Sequence, residues 1–172
     1  MIGGAKVTLS KTRGIHTKPN NGASNDWLTP PAIIAALGLF DLDPCAHPRQ
    51  KNKTAKKMIA PPIDGLAIEW RGRVFLNPPY GSQLKHWIER LAAHNNGIAL
   101  VPARTEVESW FWPFIWEAAT AVLFIRGRLF FLKPDGSKTG NAGHGSVLAA
   151  YGRHNAKVIE QCGIDGKFIK LK

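Results

Sequence analysis

The run 98-IALVP-102 constrains the fold more than any other stretch, because it is five apolar residues with no polar alternation. A strand of this kind is buried on both faces, so its sheet must be covered by helices above and below. The preceding segment supplies one cover. Leu84, Trp87, Ile88, Leu91 and Ala92 recur at helical spacing, with Lys85, His86, Glu89 and Arg90 on the opposite side. Asn95-Asn96-Gly97 ends that helix. Strands are expected at 39-LFDLDPCA-46, 57-KMIA-60, 73-RVFLN-77, 121-AVLFI-125, 128-RLFFL-132, 146-SVLAAY-151 and 167-KFIKL-171. Other helices are expected over 29-TPPAIIAALG-38, with Thr29 as N-cap and Gly38 as terminator, over 106–119 with a break at Pro113, and near 156–162. Residues 134–145 read as a Gly/Lys/Asn loop. Strands alternating with helices predict an α/β fold: a mainly parallel sheet with an antiparallel edge and helices on both faces.

Ligands in such sheets sit outside the carboxyl ends of the strands. Two residues are placed there, Asp43 and Asn77. The second opens 77-NPPY-80, where two prolines freeze the backbone directly after an apolar strand. Fixed in this way, the Asn77 side-chain oxygen and the Pro78 carbonyl form a rigid pair of acceptors beside the flat face of Tyr80. That arrangement suits a planar amine such as the exocyclic NH₂ of adenine, whose two N–H groups it would hold while the ring stacks. The competing reading is a plain turn after a core strand.

Charge bears on the partner. The 172 residues carry 23 Lys+Arg against 12 Asp+Glu, a net charge of +11, and such a field favours polyanions. Residues 1–24 hold Lys6, Lys11, Arg13 and Lys18 without an acid and read as a flexible basic arm ahead of a single domain over 25–172. A second acid-free cluster contains Arg49, Lys51, Lys53, Lys56 and Lys57. No apolar run approaches the roughly 20 residues of a membrane span, and the amino terminus lacks the apolar core of a secretory signal. Two widely separated cysteines, Cys45 and Cys162, argue against a disulfide framework and for a reducing cytosol.

Beyond the NPPY motif, 26-DWLTPPAII-34, 40-FDLDPCA-46, 64-DGL-66, 73-RVFLNPPYG-81, 98-IALVPART-105, 121-AVLFIRGRLFF-131 and 145-GSVLAAYG-152 together resemble the phage-type DNA N6-adenine methyltransferases, the phage Dam family. The resemblance spans about residues 26–152. It implies a compact Rossmann-like class I methyltransferase sheet, S-adenosylmethionine as cofactor, DNA as partner, and a bacterial host cytoplasm as location. It also implies roles: Asn77, Pro78, Pro79 and Tyr80 as the catalytic motif, Trp27, Thr29 and Pro30 as a segment enclosing the cofactor, Asp43, Pro44, Cys45 and Ala46 at the cofactor's methionine end, and Asp64 at its ribose or adenine. Two departures from the pattern stand out. The usual Gly-x-Gly after the first motif is replaced by His47-Pro48-Arg49, and the short interval between Asp43 and Asn77 leaves one or more βα units short or missing. No separate target-recognition domain fits in the chain.

Lys51, Lys53, Lys56 and Lys57 together, with Arg104, Arg126 and Arg128 near strand ends, are the candidates for DNA contact; for each arginine a surface ion pair is the competing reading. The aromatic cluster Trp110, Phe111, Trp112, Phe114 and Trp116 reads as core before it reads as a stacking surface. The histidines show no metal-ligand spacing, and no metal is expected. An RNA-base methyltransferase, and a non-catalytic DNA-binding protein that has kept the fold, are the alternative functions.

Overall fold

The structure, a computed structural model, describes residues 27–133 and 137–172. The arm expected over 1–24 lies outside the described residues. The chain runs α1 (Pro31–Leu37), β1 (Leu42–Asp43), β2 (Lys57–Met58), β3 (Val74–Leu76), α2 (Leu84–His94), β4 (Gly97–Pro102), a π-helical turn (Trp112–Trp116), β5 (Ala121–Ile125), β6 (Phe130–Leu132), β7 (Lys138–Asn141), β8 (Ser146–Tyr151), α3 (Arg153–Gln161) and β9 (Gly166–Lys170). Seven strands form one sheet in the order β2-β1-β3-β4-β8-β5-β9, and β6 and β7 form a separate two-stranded sheet.

The pairings between β1, β2, β3 and β4 are parallel, and every pairing of β8 and β9 is antiparallel. β5 therefore points the same way as β1 to β4, because it faces β4 across the reversed strand β8. Parallel ladders make up half of the sheet. The antiparallel element is also not confined to an edge, since β8 sits in the interior and pairs with β4 over its whole length. β4 is thus parallel on one side only. Complete burial, which the apolar run 98–102 reports, does not distinguish the two kinds of neighbour.

Each strand feeds two cores by alternation. Val74, Leu76, Ala99, Val101, Val122, Val147 and Ala149 pack with Leu84, Trp87, Ile88 and Leu91 of α2 and with the π-helical turn. Phe75, Ile98, Leu100, Leu123, Leu148 and Ala150 pack with Ile33 and Leu37 of α1 and Ile159 of α3. Helices cover both faces, as expected.

Several boundaries differ from the sequence reading. The acidic-apolar run at 39–46 yields a strand of only two residues, because the chain turns at once after Asp43. The segment 106–119 winds regularly only around Pro113, as a π-helical turn whose proline lacks the N–H an α-helix needs. The loop expected at 134–145 contains β7, whose polar, Gly-containing sequence KTGN gives no strand signal. α1 starts on Pro30 with no side-chain cap, so Thr29 does not act as the N-cap. Gly38 does terminate α1, at φ 79° with its N–H on the Ile34 carbonyl.

The interval between Asp43 and Asn77 holds only two short strands, β2 and β3, and no helix. This is the compression foreseen from the spacing. It brings three adjacent parallel strands, β2, β1 and β3, to one edge with only loops beyond them.

Candidate active site

A cavity of about 460 Å³ opens at the carboxyl ends of β1, β2 and β3. It is bounded by Trp27, Leu28 and Thr29, by the turn after β1 (Asp43 to Pro48), by Gln50 and Thr54, by 59–65 without Ala60, and by Asn77, Pro78, Pro79 and Tyr80. Phe75 and Trp87 complete its wall. All four NPPY residues and all the first-motif residues expected at the cofactor therefore line one space, as do Trp27, Thr29 and Asp64. Pro30 does not: it is the N-cap residue just before α1.

The orientation of the Asn77 side chain is determined by its partners. Its Nδ2 donates to the Trp27 carbonyl at 3.0 Å and to Thr29 Oγ1 at 3.1 Å, so both amide hydrogens are used. Oδ1 is left as the acceptor. Among the described residues it accepts from the Tyr80 hydroxyl at 3.5 Å, at the outer limit of a hydrogen bond. Burial pushes the Tyr80 phenol up, so it stays neutral and keeps its O–H as a donor toward Oδ1. Around this amide stand three rings. Trp27 and Tyr80 are 6.4 Å apart, and Phe131 of β6 lies 5.4 Å from Trp27 and 6.4 Å from Tyr80. Segment 27–29 is tied to β6 by paired backbone bonds between Leu28 and Leu132 of 2.8 and 2.9 Å.

Asp43 is 3% exposed and no cation contacts it among the described residues. Its oxygens accept from the Cys45 N–H at 3.1 Å and from the Thr54 hydroxyl. Burial outweighs those donors and raises its carboxyl from 3.8 to about 6. Burial, and then the Asp43 carboxylate, push the Cys45 thiol well above its ordinary value. Cys45 is accordingly a protonated wall residue at neutral pH.

The raised carboxyl fixes the sign of a pH effect. Between pH 3.8 and 6 the unfolded chain has lost this proton while the folded chain keeps it. The stability that neutral Asp43 confers is complete below pH 3.8 and is lost as pH rises through about 6. Denaturant melts at a series of pH values should show the ligand-free wild type losing up to about 3 kcal/mol across this window relative to Asp43→Asn, in which that proton is absent. Parallel pH curves for the two proteins would refute the effect.

The turn at Asp64-Gly65 forms as expected, with Asp64 Oδ1 accepting from the Leu66 N–H at 2.9 Å while Asp64 also faces the cavity. Gly65 is required by contact. A Cβ there would lie 1.7 Å from the Pro44 carbonyl oxygen and 3.1 Å from the Trp87 ring, so any side chain would force the 44–46 wall outward.

The family model of DNA N-6-adenine-methyltransferase (Dam) matches residues 16–160. The chain belongs to the Dam family. No curated protein and no solved structure matches it. The match covers every residue that lines the cavity. The Dam family acts on adenine in DNA, which directs attention to the cations of this Dam-family chain.

Lys51, Lys53, Lys56 and Lys57 are all exposed on or beside the loop whose inner residues, Gln50 and Thr54, line the cavity. The cluster is not free of acids in space: Lys56 Nζ lies 2.8 Å from Asp41, whose carboxyl is held below its ordinary value by the Arg73 N–H and then by Lys56. Arg104 pairs with Glu106 at 3.4 Å and Arg126 with Asp165 at 3.2 Å, while Arg128 donates to the Ala142 carbonyl at 3.3 Å. Exposed pairs of this kind are weak and exchange readily for a phosphate. Arg104 and Arg126 follow β4 and β5, so they leave the sheet at the carboxyl ends of its parallel strands, the side on which the cavity opens. The aromatic cluster is divided: Trp110 and Phe111 are core, Phe114 and Trp116 pack against it partly buried, and Trp112 is 50% exposed.

Sequence reading missed Gln50, Thr54, the wall Pro61-Pro62-Ile63, Trp87 and the backing ring Phe131. For Pro61-Pro62 a signal was present, since it is a second Pro-Pro shortly after a strand of the same sheet edge. Thr54 and Ala55 are the buried residues of an otherwise exposed lysine loop, and only the fold shows that.

Proposed function

We propose that this Dam-family protein transfers the methyl group of S-adenosylmethionine to N6 of adenine in DNA, with the base turned out of the duplex against the NPPY motif. The observation that carries the reading is that one cavity holds both a buried carboxylate that no cation among the described residues contacts and an asparagine whose amide is held through both hydrogens, its oxygen met only at long range by the Tyr80 hydroxyl among the described residues. The first suits a cationic cofactor and the second a planar amine. The cavity volume is within the ordinary range of roughly 300–1,000 Å³ for small-molecule sites.

The residues present fit the cofactor. Asp43 offers the charge that its ammonium needs, Pro61, Pro62 and Ile63 offer an apolar wall for its adenine, and Asp64 stands where the ribose hydroxyls would be met. When bound, the cofactor supplies a methyl group on a sulfonium, open to attack by a nitrogen lone pair. The protein's work is on the nitrogen. Asn77 Oδ1 and the Pro78 carbonyl accept the two N–H groups of adenine N6, drawing the amine out of conjugation and turning its lone pair toward the methyl. Tyr80 stacks on the extruded base. The surplus proton of the methylated amine leaves to solvent. The exposed lysines of 51–57 and the arginines that follow β4 and β5 grip the phosphates.

The test is methyl transfer from tritiated S-adenosylmethionine to unmethylated duplex DNA and, separately, to RNA. Label recovered as N6-methyladenine from DNA is the expected result. Label in RNA alone would overturn the substrate, and DNA binding without any transfer would favour a non-catalytic module.

A further inference from the structure

Thr29 sits where a helix N-cap is expected, yet its hydroxyl does not cap α1. It accepts from Asn77 Nδ2 at 3.1 Å and is itself 5% exposed. A capping hydroxyl stabilises a helix, and here that local stabilisation is forgone while the oxygen meets Asn77 instead. Opposite it, the Trp27 carbonyl takes the second hydrogen of the same amide.

An asparagine amide is nearly symmetric in shape, and turning it over exchanges an acceptor for a donor. Turned over, Asn77 would present N–H groups to an amine that also carries N–H groups, and the pair of acceptors would be lost. The turned amide would set Oδ1 against the Trp27 carbonyl, which can only accept; the Thr29 hydroxyl gives the observed orientation a second anchor through Nδ2. Thr29 adds to what the backbone carbonyl does alone. It also couples the amide to the strap 27–29, which Leu28 pins to β6. We infer that Thr29 is a positioning residue for methyl transfer, holding the Asn77 amide with its oxygen toward the reacting amine, rather than a ligand of the cofactor. This inference rests on the function proposed above.

Two variants separate the possibilities. Thr29→Val keeps the branched shape and removes the hydroxyl, and Thr29→Ser keeps the hydroxyl and removes a methyl. Single-turnover transfer should fall about 10- to 100-fold in Thr29→Val, the scale on which a misplaced group costs rate, with the Kd for S-adenosylmethionine and for DNA within about twofold of wild type. Thr29→Ser should restore most of the rate. The independent readout is the Asn77 side-chain NH₂ signal in ¹⁵N NMR, assigned by its disappearance in Asn77→Asp. Its protection from solvent exchange should drop in Thr29→Val and persist in Thr29→Ser.

An unchanged rate in Thr29→Val, with Asn77→Ala inactive, would overturn the inference alone. Weakened cofactor binding that accounts for the whole loss of rate would reassign Thr29 as a cofactor ligand. Unchanged exchange of the Asn77 amide in Thr29→Val would also overturn it, whatever the rates. A wild type that transfers nothing would instead defeat the functional reading.

Discussion

Asn77→Ala is expected to lower the single-turnover rate of methyl transfer by about 10²- to 10³-fold, the range for removal of one preorganised polar group that acts on the reacting atoms. The affinity for S-adenosylmethionine should change little, because the proposed cofactor contacts lie at Asp43, Asp64 and the proline wall. The substitution removes Oδ1 and also leaves the Trp27 carbonyl and Thr29 hydroxyl without their donor. A modest loss of stability should accompany the loss of rate, and melting curves separate the two. Asn77→Asp restores an acceptor but sets a carboxylate oxygen against the Trp27 carbonyl. Its rate should therefore fall between alanine and wild type. An alanine variant that turns over as fast as wild type would end the proposed role of the motif.

The largest effect on stability is expected at Arg73, a residue with no role in the chemistry. Its Nε donates to Asn155 Oδ1 at 2.7 Å, and its two terminal nitrogens to the carbonyls of Leu39 at 2.8 Å and Leu37 at 3.0 Å. The guanidinium lies 4.1 Å from the centre of the Phe40 ring. One side chain thus joins the end of α1, the approach to β1 and the buried Asn155 of α3. Hydrogen bonds from a charged donor contribute about 1.5–3 kcal/mol each, and they are not additive. The guanidinium is only half-buried, so Arg73→Ala should cost about 2–4 kcal/mol. That corresponds to a fall in Tm of roughly 5–15 °C for a domain of this size. Arg73→Lys, with one compact donor in place of a planar fork, should recover only part of it. A change in Tm of less than a degree or two in Arg73→Ala would show that the clamp contributes little.

The fate of Arg73 illustrates what a sequence conceals. It reads as the first residue of a strand, and its three acceptors come from α1, the loop after it and α3, which no local pattern places together. Apolar period, by contrast, is local. It located β4, β5 and β8 nearly to the residue, and α2 by its single apolar face. Direction of pairing was not legible, because a strand buried on both faces looks alike beside parallel or antiparallel neighbours. β7 was hidden because its pairing, not its side chains, makes it a strand. At the site, Asp43 and the NPPY motif were legible from their places at strand ends. Thr29 was legible only as a helix cap, since the competing partner Asn77 lies far along the chain.

The reversed strand in the middle of the sheet has a consequence for how the chain comes together. β4 and β5 each need β8 as a neighbour, and β8 follows both in the sequence. During synthesis, residues 27–145 would thus carry two unsatisfied inner edges, the kind of edge that recruits other strands. The sheet closes only once residues 146–151 have emerged to join β4 and β5, and β9 then covers the other side of β5. Closure of the sheet is therefore a late, long-range event, and folding should be slow for a chain of this length.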